Sequence, residues 1–406
     1  MKYRKMGSLG WNVSTLGFGA MRLPTDNENR IKENESIRMI RYGIKHGINY
    51  IDTAFPYHQK QSEPLVGKAL KDGYRDKVWL TTKLPMWLIN KERHFERYFK
   101  RQQKRLQTNP DIYLFHGLNN LRFQKVKDLD LIPKMEKLRD EGIIKHFGFS
   151  FHDSIDVFKE IIDFYDWDCC QIQLNYLDIN YQAGMEGLRY AGKKNIAVII
   201  MEPLRGGKLT IPDEELENKP EIKEVLKNSD IQRSMADWGL QFLWNQPEVS
   251  VVLSGMSEMQ HVIENVKSAD MSGINILSQE ELNTIKDLRN AYQKYDVVPC
   301  TSCGYCTPCP QGVSIPFVMR ILNEVGYWRE EKFDTWQTFY ERFAKTPEEL
   351  EERRNSGEEV QGGPSLCIEC GQCLEHCPQG IDIPGYMKNV VELFEHEKDI
   401  QEVIKS

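Results

Sequence analysis

Eight repeats of a strand-like run followed by a helical pattern occupy most of the chain, and they restrict its fold more than any other feature. Each run is short and rich in β-branched residues, and the stretch after it has the 3.6-residue period of an amphipathic helix. The predicted strands cover residues 13–19, 50–53, 78–83, 112–116, 146–150, 170–174, 197–202 and 249–254. The predicted helices cover residues 35–46, 63–73, 91–106, 132–141, 155–165, 185–194, 234–245 and 260–268. Eight such units favour an α/β fold, a (β/α)8 TIM barrel, because parallel strands buried on both faces give unbroken apolar runs such as 196–200.

A doubly wound open sheet is the alternative arrangement of alternating strands and helices. That fold normally carries a G-x-G-x-x-G turn after its first strand; Gly17 and Gly19 begin such a turn, but no third glycine follows. Residues 1–16, with a turn at 8–10, are expected to form a hairpin at the bottom of the barrel. A last amphipathic helix over 279–294 precedes the boundary that we predict between a barrel domain, 1–296, and a second domain, 297–406.

Eight of the ten cysteines lie after residue 299, in two runs. The second run has the spacing C-x2-C-x2-C-x3-C-P, which is typical of [4Fe–4S] ligation, and in two-cluster proteins its fourth cysteine binds the other cluster. The first run is one residue shorter in its last gap, yet Pro-Gln-Gly-Val at 310–313 repeats as Pro-Gln-Gly-Ile at 378–381. The sequence therefore predicts two [4Fe–4S] clusters with exchanged fourth ligands. One is assigned Cys300, Cys303, Cys306 and Cys377, and the other Cys309, Cys367, Cys370 and Cys373.

Two zinc knuckles are the alternative interpretation of these runs, since C-x2-C pairs also suit tetrahedral zinc. Four cysteines within ten or eleven residues, twice, fit a cluster better than the separated pairs of a zinc ribbon. The pattern resembles helical dicluster ferredoxin modules, and the insert at 315–356 is predicted to be mainly helical. The remaining cysteines, Cys169 and Cys170, lie at the start of a predicted buried strand and are expected to pack in the core.

Charge and hydropathy exclude several classes of partner. The formal net charge is −7 at pH 7 and the charges are mixed along the chain, so we expect no nucleic acid partner. No apolar run is long enough to span a bilayer, and the N-terminus lacks the apolar core of a signal peptide. We therefore expect no membrane partner and a cytoplasmic protein, where clustered cysteines indicate metal ligation or redox chemistry rather than disulfides. Two such clusters suggest an anaerobe with an oxygen-poor cytoplasm.

Four polar residues lie at or just beyond the C-terminal ends of predicted strands, where barrels of this class carry their chemistry: Asp52, Tyr57, Lys83 and His116. Reduction of a carbonyl by hydride requires a proton for the developing alkoxide. A tyrosine hydroxyl can supply that proton if a neighbouring lysine ammonium lowers its pKa. An aspartate paired with the lysine keeps it charged, and a histidine can hydrogen-bond the substrate oxygen. The set of four predicts a hydride-transfer site.

The sequence around these four residues closely resembles the aldo-keto reductases. The resemblance is carried by residues 50–57, 62–63, 66–67, 81–83 and 114–116 and extends from the hairpin to about residue 290. It places the four residues on that family's Asp/Tyr/Lys/His catalytic tetrad. The whole chain resembles those aldo-keto reductases that carry a C-terminal ferredoxin-type domain.

The resemblance also implies a site for NAD(H) or NADP(H). Ser150 and Gln171 match groups that bind the carboxamide, and Met201 takes the place of the residue that stacks on the nicotinamide ring. The implied cofactor-binding residues are Gly19, Met21, Ser150, Gln171, Met201, Leu204, Gly206, Ser254, Gly255, Met256, Glu258, Glu264 and Asn265. Residues 204–206 and 254–256 would line the pyrophosphate and adenosine part.

The loop expected near the adenosine ribose has Ser257, Glu258 and Met259 where NADPH-specific members have Lys or Arg. A carboxylate there would repel a 2′-phosphate and favours NADH. His261 and Lys267 are cations that would compensate.

The sequence thus predicts an oxidoreductase for a small-molecule carbonyl or alcohol, linked to electron-carrying clusters and to a ferredoxin or other electron carrier. Because hydride carries two electrons and a cluster carries one, FMN at the barrel mouth would bridge them, which leaves a flavin-bridged ferredoxin-linked reductase as an alternative. Another alternative is a nicotinamide-binding redox sensor with structural clusters. The substrate is not specified by the sequence; Trp87 and the loops at 117–130 and 208–230 are expected to shape its pocket.

Overall fold

The computed structural model describes residues 1–298, 300, 306–328, 333–356, 360–377, 380–396 and 398–405. These residues form two compact units, Met1–Lys286 and Asp287–Ser406. The first unit contains a closed barrel of eight parallel strands, which confirms the predicted barrel fold. Its strands are β3 (Leu16–Gly19), β4 (Tyr50–Asp52), β5 (Trp79–Leu84), β6 (Ile112–Leu118), β7 (His146–Phe151), β8 (Cys169–Gln173), β9 (Ala197–Met201) and β10 (Val249–Ser254), after a hairpin of β1 (Tyr3–Lys5) and β2 (Asn12–Ser14).

Barrel closure is achieved by β10, which pairs in parallel with both β3 and β9. Strands such as β8 and β10 are buried at every position, as expected for a parallel barrel covered by helices. The helices of this unit are Glu33–Lys45, Tyr57–Lys60, Ser62–Ala69, Arg93–Leu106, Asn120–Asp128, Ile132–Asp140, Ile155–Phe164, Gly184–Lys193, Asp213–Leu216, Pro220–Asn228, Met235–Trp244, Met259–Asp270 and Gln279–Gln293.

Local sequence explains where these helices begin and how closely they pack. The hydroxyls of Ser154 and Ser234 accept hydrogen bonds from backbone N–H groups three residues later, as N-cap residues do. A Cβ atom at Gly67 would lie 2.3 Å from the carbonyl oxygen of Leu106. Glycine at position 67 therefore lets helix Ser62–Ala69 approach helix Arg93–Leu106. This packing holds the helix that follows Tyr57 in the chain.

The predicted strand over 13–19 is wrong in one respect, because the structure divides it into β2 and β3. Ser14 pairs with Tyr3 in the antiparallel hairpin, whereas Leu16 pairs with Val252 in the barrel. The hairpin buries Met6 and Val13 against the first residues of several barrel strands. It thus covers the N-terminal end of the barrel and leaves the C-terminal end open for a site.

The second unit is mainly helical, which confirms the predicted fold class of the C-terminal region. Tyr340 stacks on Phe394 with ring centroids 4.6 Å apart, within a core that includes Val318, Leu322 and Val390. Its helices, after the end of Gln279–Gln293, are Ile315–Trp328, Phe333–Tyr340, Pro347–Asn355, Gln372–His376, Ile383–Glu395 and Ile400–Lys405. No helix in the described part of the chain has both the length and the apolar character needed to cross a membrane.

Candidate active site

Lys83 is hydrogen-bonded to two of the other three residues that the sequence singled out. Its Nζ donates a hydrogen bond to Asp52 Oδ1 at 2.6 Å and to the hydroxyl oxygen of Tyr57 at 3.2 Å. A third bond, at 3.1 Å, goes to the carbonyl oxygen of Thr53. The His116 ring stands nearly perpendicular to the Tyr57 ring, with centroids 6.1 Å apart. Three adjacent strands, β4, β5 and β6, thus bring Asp52, Tyr57, Lys83 and His116 together at the C-terminal end of the barrel.

The Asp52–Lys83 pair is buried, since Lys83 is 0% and Asp52 2% exposed. Burial lowers the pKa of the Lys83 ammonium, but attraction to Asp52 and Tyr57 outweighs burial and holds that pKa above its usual value. Burial also raises the pKa of Asp52, and the ammonium of Lys83 opposes this rise. The 2.6 Å separation of Lys83 Nζ and Asp52 Oδ1 is that of a short hydrogen bond of the charge-assisted kind.

The Tyr57 hydroxyl differs from the expectation that Lys83 would lower its pKa. Burial raises the pKa of Tyr57 above its usual value, and Lys83 only partly offsets that effect. The phenol is therefore fully protonated at neutral pH, which suits a proton donor. A negative charge that forms on it during reaction is stabilised by the adjacent ammonium.

The His116 imidazole is neutral at physiological pH. Burial lowers its pKa well below the usual value, and the charges of Lys83, His152 and Arg122 add to the effect. Its Nδ1 atom is buried and has no hydrogen-bond partner in the described structure. The Trp87 ring lies 5.1 Å from the His116 ring, centroid to centroid. Such an imidazole can orient a neutral carbonyl oxygen without adding charge.

A buried polar network behind Lys83 was missed by sequence reasoning. Gln102 Nε2 donates to the carbonyl oxygen of Lys83 at 3.0 Å and to Glu63 Oε1 at 2.6 Å. Glu63 is fully buried and also accepts bonds from Thr82 Oγ1 at 2.8 Å and Arg105 Nε at 2.6 Å. This network fixes the backbone that carries Lys83. Gln102 lies on the helical face that sequence periodicity assigns to packing, so its role has no sequence signal.

A cavity of about 1450 Å³ opens at this end of the barrel. It contains all four tetrad residues and twelve of the thirteen residues implied as cofactor contacts. These twelve are Gly19, Met21, Ser150, Gln171, Met201, Leu204, Gly206, Ser254, Gly255, Met256, Glu264 and Asn265. Glu258 is the exception: it does not line the cavity and instead occupies the N-cap position of helix Met259–Asp270.

The residues at the inner end of the cavity fit a carboxamide. Gln171 Oε1 is buried and has no hydrogen-bond partner within the described residues, so it is an acceptor available to a ligand N–H group. Ser150 Oγ accepts a bond from the backbone N–H of Gly117 at 2.7 Å, which leaves its own hydroxyl proton to donate. One acceptor and one donor match the two polar ends of an amide.

At the outer end of the cavity, Asn265 Nδ2 donates to Ser254 Oγ at 3.0 Å. Ser257 and His261 line the cavity where Glu258 does not. Arg22, on the loop after β3, also lines it and was not among the residues that sequence reasoning singled out. The cavity lining therefore includes a cation that the sequence did not indicate.

Five cysteines of the second unit line a separate cavity of about 290 Å³. Cys309, Cys367, Cys370 and Cys373, which were assigned to one cluster, all line it, and Cys306 lines it as well. Burial raises the pKa of the Cys373 thiol, and the charges of Cys367, Cys370 and Cys309 add to this. Cys300 and Cys377 pack against the core of the unit without lining the cavity. Cys303 lies outside the described residues.

Four thiols that line one cavity supply the donor set that a [4Fe–4S] cluster requires. Zinc requires its thiolates at about 2.3 Å from one point, whereas a cubane binds each thiolate at a different iron atom. Cys309, Cys367, Cys370 and Cys373 form no disulfide with any described cysteine, so their thiols are available as ligands.

Comparison with protein families identifies both parts of the chain. Residues 15–290 match the model of the aldo/keto reductase family. Residues 299–381 match the model of a 4Fe-4S dicluster domain.

Individual relatives match the barrel along most of their length. L-galactose dehydrogenase of Arabidopsis thaliana is 27% identical over 301 residues, which are 70% of this chain and 93% of the relative. An aldo-keto reductase from Bacillus halodurans, in its holo form, superposes with a TM-score of 0.59 at 27% identity, covering 71% of this chain and 96% of that one. An aldo/keto reductase from Klebsiella pneumoniae, in complex with NADP and acetate, has a TM-score of 0.56 at 25% identity, covering 71% and 95%.

Proposed function

This chain belongs to the aldo/keto reductase family and carries a C-terminal 4Fe-4S dicluster domain, and from that premise we propose that its barrel reduces a small-molecule carbonyl with NAD(P)H. The observation that carries the proposal is the contact of one buried ammonium, Lys83 Nζ, with both Asp52 and Tyr57 inside the large cavity. The reaction converts the carbonyl, NAD(P)H and a proton to the alcohol and NAD(P)+. It is reversible, so alcohol oxidation uses the same groups.

Tyr57 is the proposed proton donor. When bound, a reduced nicotinamide would supply a hydride to the carbonyl carbon, and the carbonyl oxygen would then need a proton. The Tyr57 hydroxyl donates it, while Lys83 at 3.2 Å stabilises the phenolate that this leaves. The carboxylate of Asp52 keeps Lys83 charged and oriented.

His116 is proposed to orient the substrate oxygen. Its neutral ring lies beside Tyr57 in the same cavity, so both can approach one carbonyl oxygen. Because the His116 imidazole is neutral, it is not a stronger acid than the Tyr57 hydroxyl, and Tyr57 remains the proton donor. The nearby Trp87 would contact the remainder of an apolar or aromatic substrate.

The nucleotide site is proposed to accept NADPH. The preference for NADH rested on Glu258, and this residue does not line the cavity, whereas Ser257 and His261 do. The Klebsiella relative was solved with NADP, which supports the same choice. Ser150 and Gln171 would hold the carboxamide, and Met201 would contact the nicotinamide ring.

The second unit is proposed to bind two [4Fe–4S] clusters. Cys309, Cys367, Cys370 and Cys373 would bind the cluster in the 290 Å³ cavity. Cys300, Cys303, Cys306 and Cys377 are proposed for the other. Such clusters carry single electrons, to or from a ferredoxin-like carrier.

The test is carbonyl reduction by anaerobically purified protein with NADPH and with NADH, over a panel of aldehydes, quinones and aldoses. The aldoses are included because one relative is an L-galactose dehydrogenase. Tyr57→Phe should lower kcat by about 10²- to 10⁴-fold, because it removes the proton donor and little volume. Tyr190→Phe is the matched control, since that hydroxyl bonds Asp163 on the outside of the barrel.

Two outcomes would overturn the proposal. Equal turnover by wild type and Tyr57→Phe would remove the tyrosine from the chemistry, and no turnover at all would favour the redox-sensing alternative. An absorption spectrum and cofactor analysis of the same sample would distinguish the flavin-bridged alternative, because bound FMN would appear beside the clusters.

A further inference from the structure

Arg22 bridges two loops at the outer end of the large cavity. A Cβ atom at Gly255 would lie 3.2 Å from Arg22 Cβ and 3.3 Å from its Cδ, so the aliphatic part of the side chain rests on that glycine. A Cβ atom at Gly206 would lie 2.9 Å from Arg22 Nη2, so the guanidinium reaches the other loop. Gly206 has φ +67°, a conformation that favours glycine. Both glycines thus make room for the arginine.

The Arg22 guanidinium has no hydrogen-bond or salt-bridge partner within the described part of the chain. Three carboxylates line the same cavity. Asp52 bonds Lys83 and Glu264 bonds Gln260, while Glu202 forms no hydrogen bond or salt bridge with Arg22 among the described contacts. The neighbouring His58 offers Arg22 no negative charge. Burial lowers the pKa of the His58 imidazole, and the charge of Arg22 lowers it further. A planar cation with five donors, held over backbone at a cavity edge, is suited to an anionic ligand with several oxygens.

We propose that Arg22 is a clasp for the diphosphate of the bound dinucleotide. The two loops that it bridges, 204–206 and 254–256, are those expected to line the pyrophosphate, so the inference rests on the proposed function. The guanidinium would donate to diphosphate oxygens while its aliphatic part remains on Gly255. Because the same side chain contacts both loops, it would slow nucleotide release as well as increase affinity.

The test measures the dissociation constants of NADPH, NADH and ADP-ribose for wild type and Arg22→Gln. These three ligands share the diphosphate, but only NADPH has a 2′-phosphate and only the first two have a nicotinamide. Loss of a charge-assisted contact at a partly exposed site should weaken all three by a similar factor, about 10-fold. Arg22→Lys should recover part of the loss, because a point charge cannot replace the planar fork.

Arg30→Gln is the matched control. Arg30 lies in the same connection between β3 and helix Glu33–Lys45, pairs with Asp26 at 2.9 Å, and does not line the cavity. Its substitution removes the same charge from the chain and should leave all three constants unchanged.

Selective weakening of NADPH would assign Arg22 to the 2′-phosphate and overturn the clasp. Unchanged ADP-ribose binding with a raised KM for the carbonyl would assign it to the substrate and also overturn it. Unchanged dissociation constants for all three ligands in Arg22→Gln would overturn the clasp but not the proposed function. A wild-type protein that binds none of them would overturn the proposed function itself.

Discussion

The two cavities of this chain hold their functional side chains in different ways. In the barrel, Lys83 is completely buried and bonded to three oxygen atoms of its own fold. In the second unit, Cys370 is exposed, and the neighbouring Ile368 and Leu374 are 63% and 42% exposed. The barrel site is therefore complete in geometry before any ligand binds. The cysteine site is more exposed to solvent, and Cys367 and Cys370 lie on a loop.

This difference has a thermodynamic consequence. Where packing and hydrogen bonds fix a site, the fold stays intact when no ligand is bound. Where ligands are held on loops, cluster binding supplies part of the folding free energy of the unit, as it does for small metal-binding domains. We therefore expect substitutions in the two regions to differ in what they damage.

The largest effect is expected from Cys373→Ala. If this thiol binds a cluster with Cys309, Cys367 and Cys370, its loss should lower the iron content from about eight to about four atoms per chain. Peptides of the second unit should then exchange amide hydrogens faster, while NADPH-dependent carbonyl reduction in the barrel remains. Iron and sulfide analysis and hydrogen exchange measure the two effects.

Cys170→Ala is the control for that substitution, since Cys170 is buried in β8. It should retain all iron. An unchanged iron content in Cys373→Ala would exclude this thiol as a cluster ligand. Loss of carbonyl reduction in the same variant would contradict the expectation that damage to the second unit leaves the barrel active.

The next largest effect is expected from Asp52→Leu, which leaves the buried ammonium of Lys83 without its carboxylate. Removal of one partner of a buried ion pair costs about 3–5 kcal/mol. The double variant Asp52→Leu/Lys83→Met should cost less, because no unpaired charge remains. Hydrogen exchange of barrel peptides in increasing urea measures both. A double variant as unstable as Asp52→Leu would contradict the assignment of the cost to an unpaired charge.

A smaller effect concerns the pH dependence of barrel stability. The pKa of His116 lies well below its usual value because of burial, so the unfolded chain binds a proton that the folded chain does not. The stability contributed by neutral His116 is present above about pH 6.5 and is lost as pH falls towards the folded pKa. The barrel should therefore be less stable at pH 5.5 than at pH 7.5.

His116→Gln should remove that part of the pH dependence, measured by the same exchange experiment at the two pH values. His46→Gln is the control. His46 is exposed at the end of helix Glu33–Lys45, and its substitution leaves His116 in place. Equal pH dependence in wild type and His116→Gln would contradict the burial of a neutral ring.

The contrast between the two regions also explains what could be predicted from the sequence. The barrel strands follow from unbroken apolar runs, and Asp52, Lys83 and His116 were found because each stands at the polar end of such a run. A strand-end position is fixed by local pattern, so the tetrad could be expected to meet. The break between β2 and β3 was missed, because only pairing with Tyr3 and Val252 shows that one run serves two sheets.

Features set by distant contacts were not predictable. Gln102 meets Glu63 only when two helices pack behind β5, and Arg22 meets Gly206 and Gly255 only when the barrel closes. Glu258 was placed at the nucleotide by its position in the sequence, whereas the start of its helix places it outside the cavity. In each case the side chain is identified by its surroundings rather than by its neighbours in the chain.

The central claim, that the barrel transfers hydride to a carbonyl, is tested most directly by isotope transfer. NADPH that carries deuterium at both C4 positions of the nicotinamide would be incubated anaerobically with the protein and a carbonyl from the active panel, and the alcohol would be analysed by mass spectrometry. We expect one deuterium at the carbinol carbon with wild type and almost none with Tyr57→Phe over the same time. Alcohol formed without deuterium would contradict the claim, since the electrons would then have reached the substrate by another route.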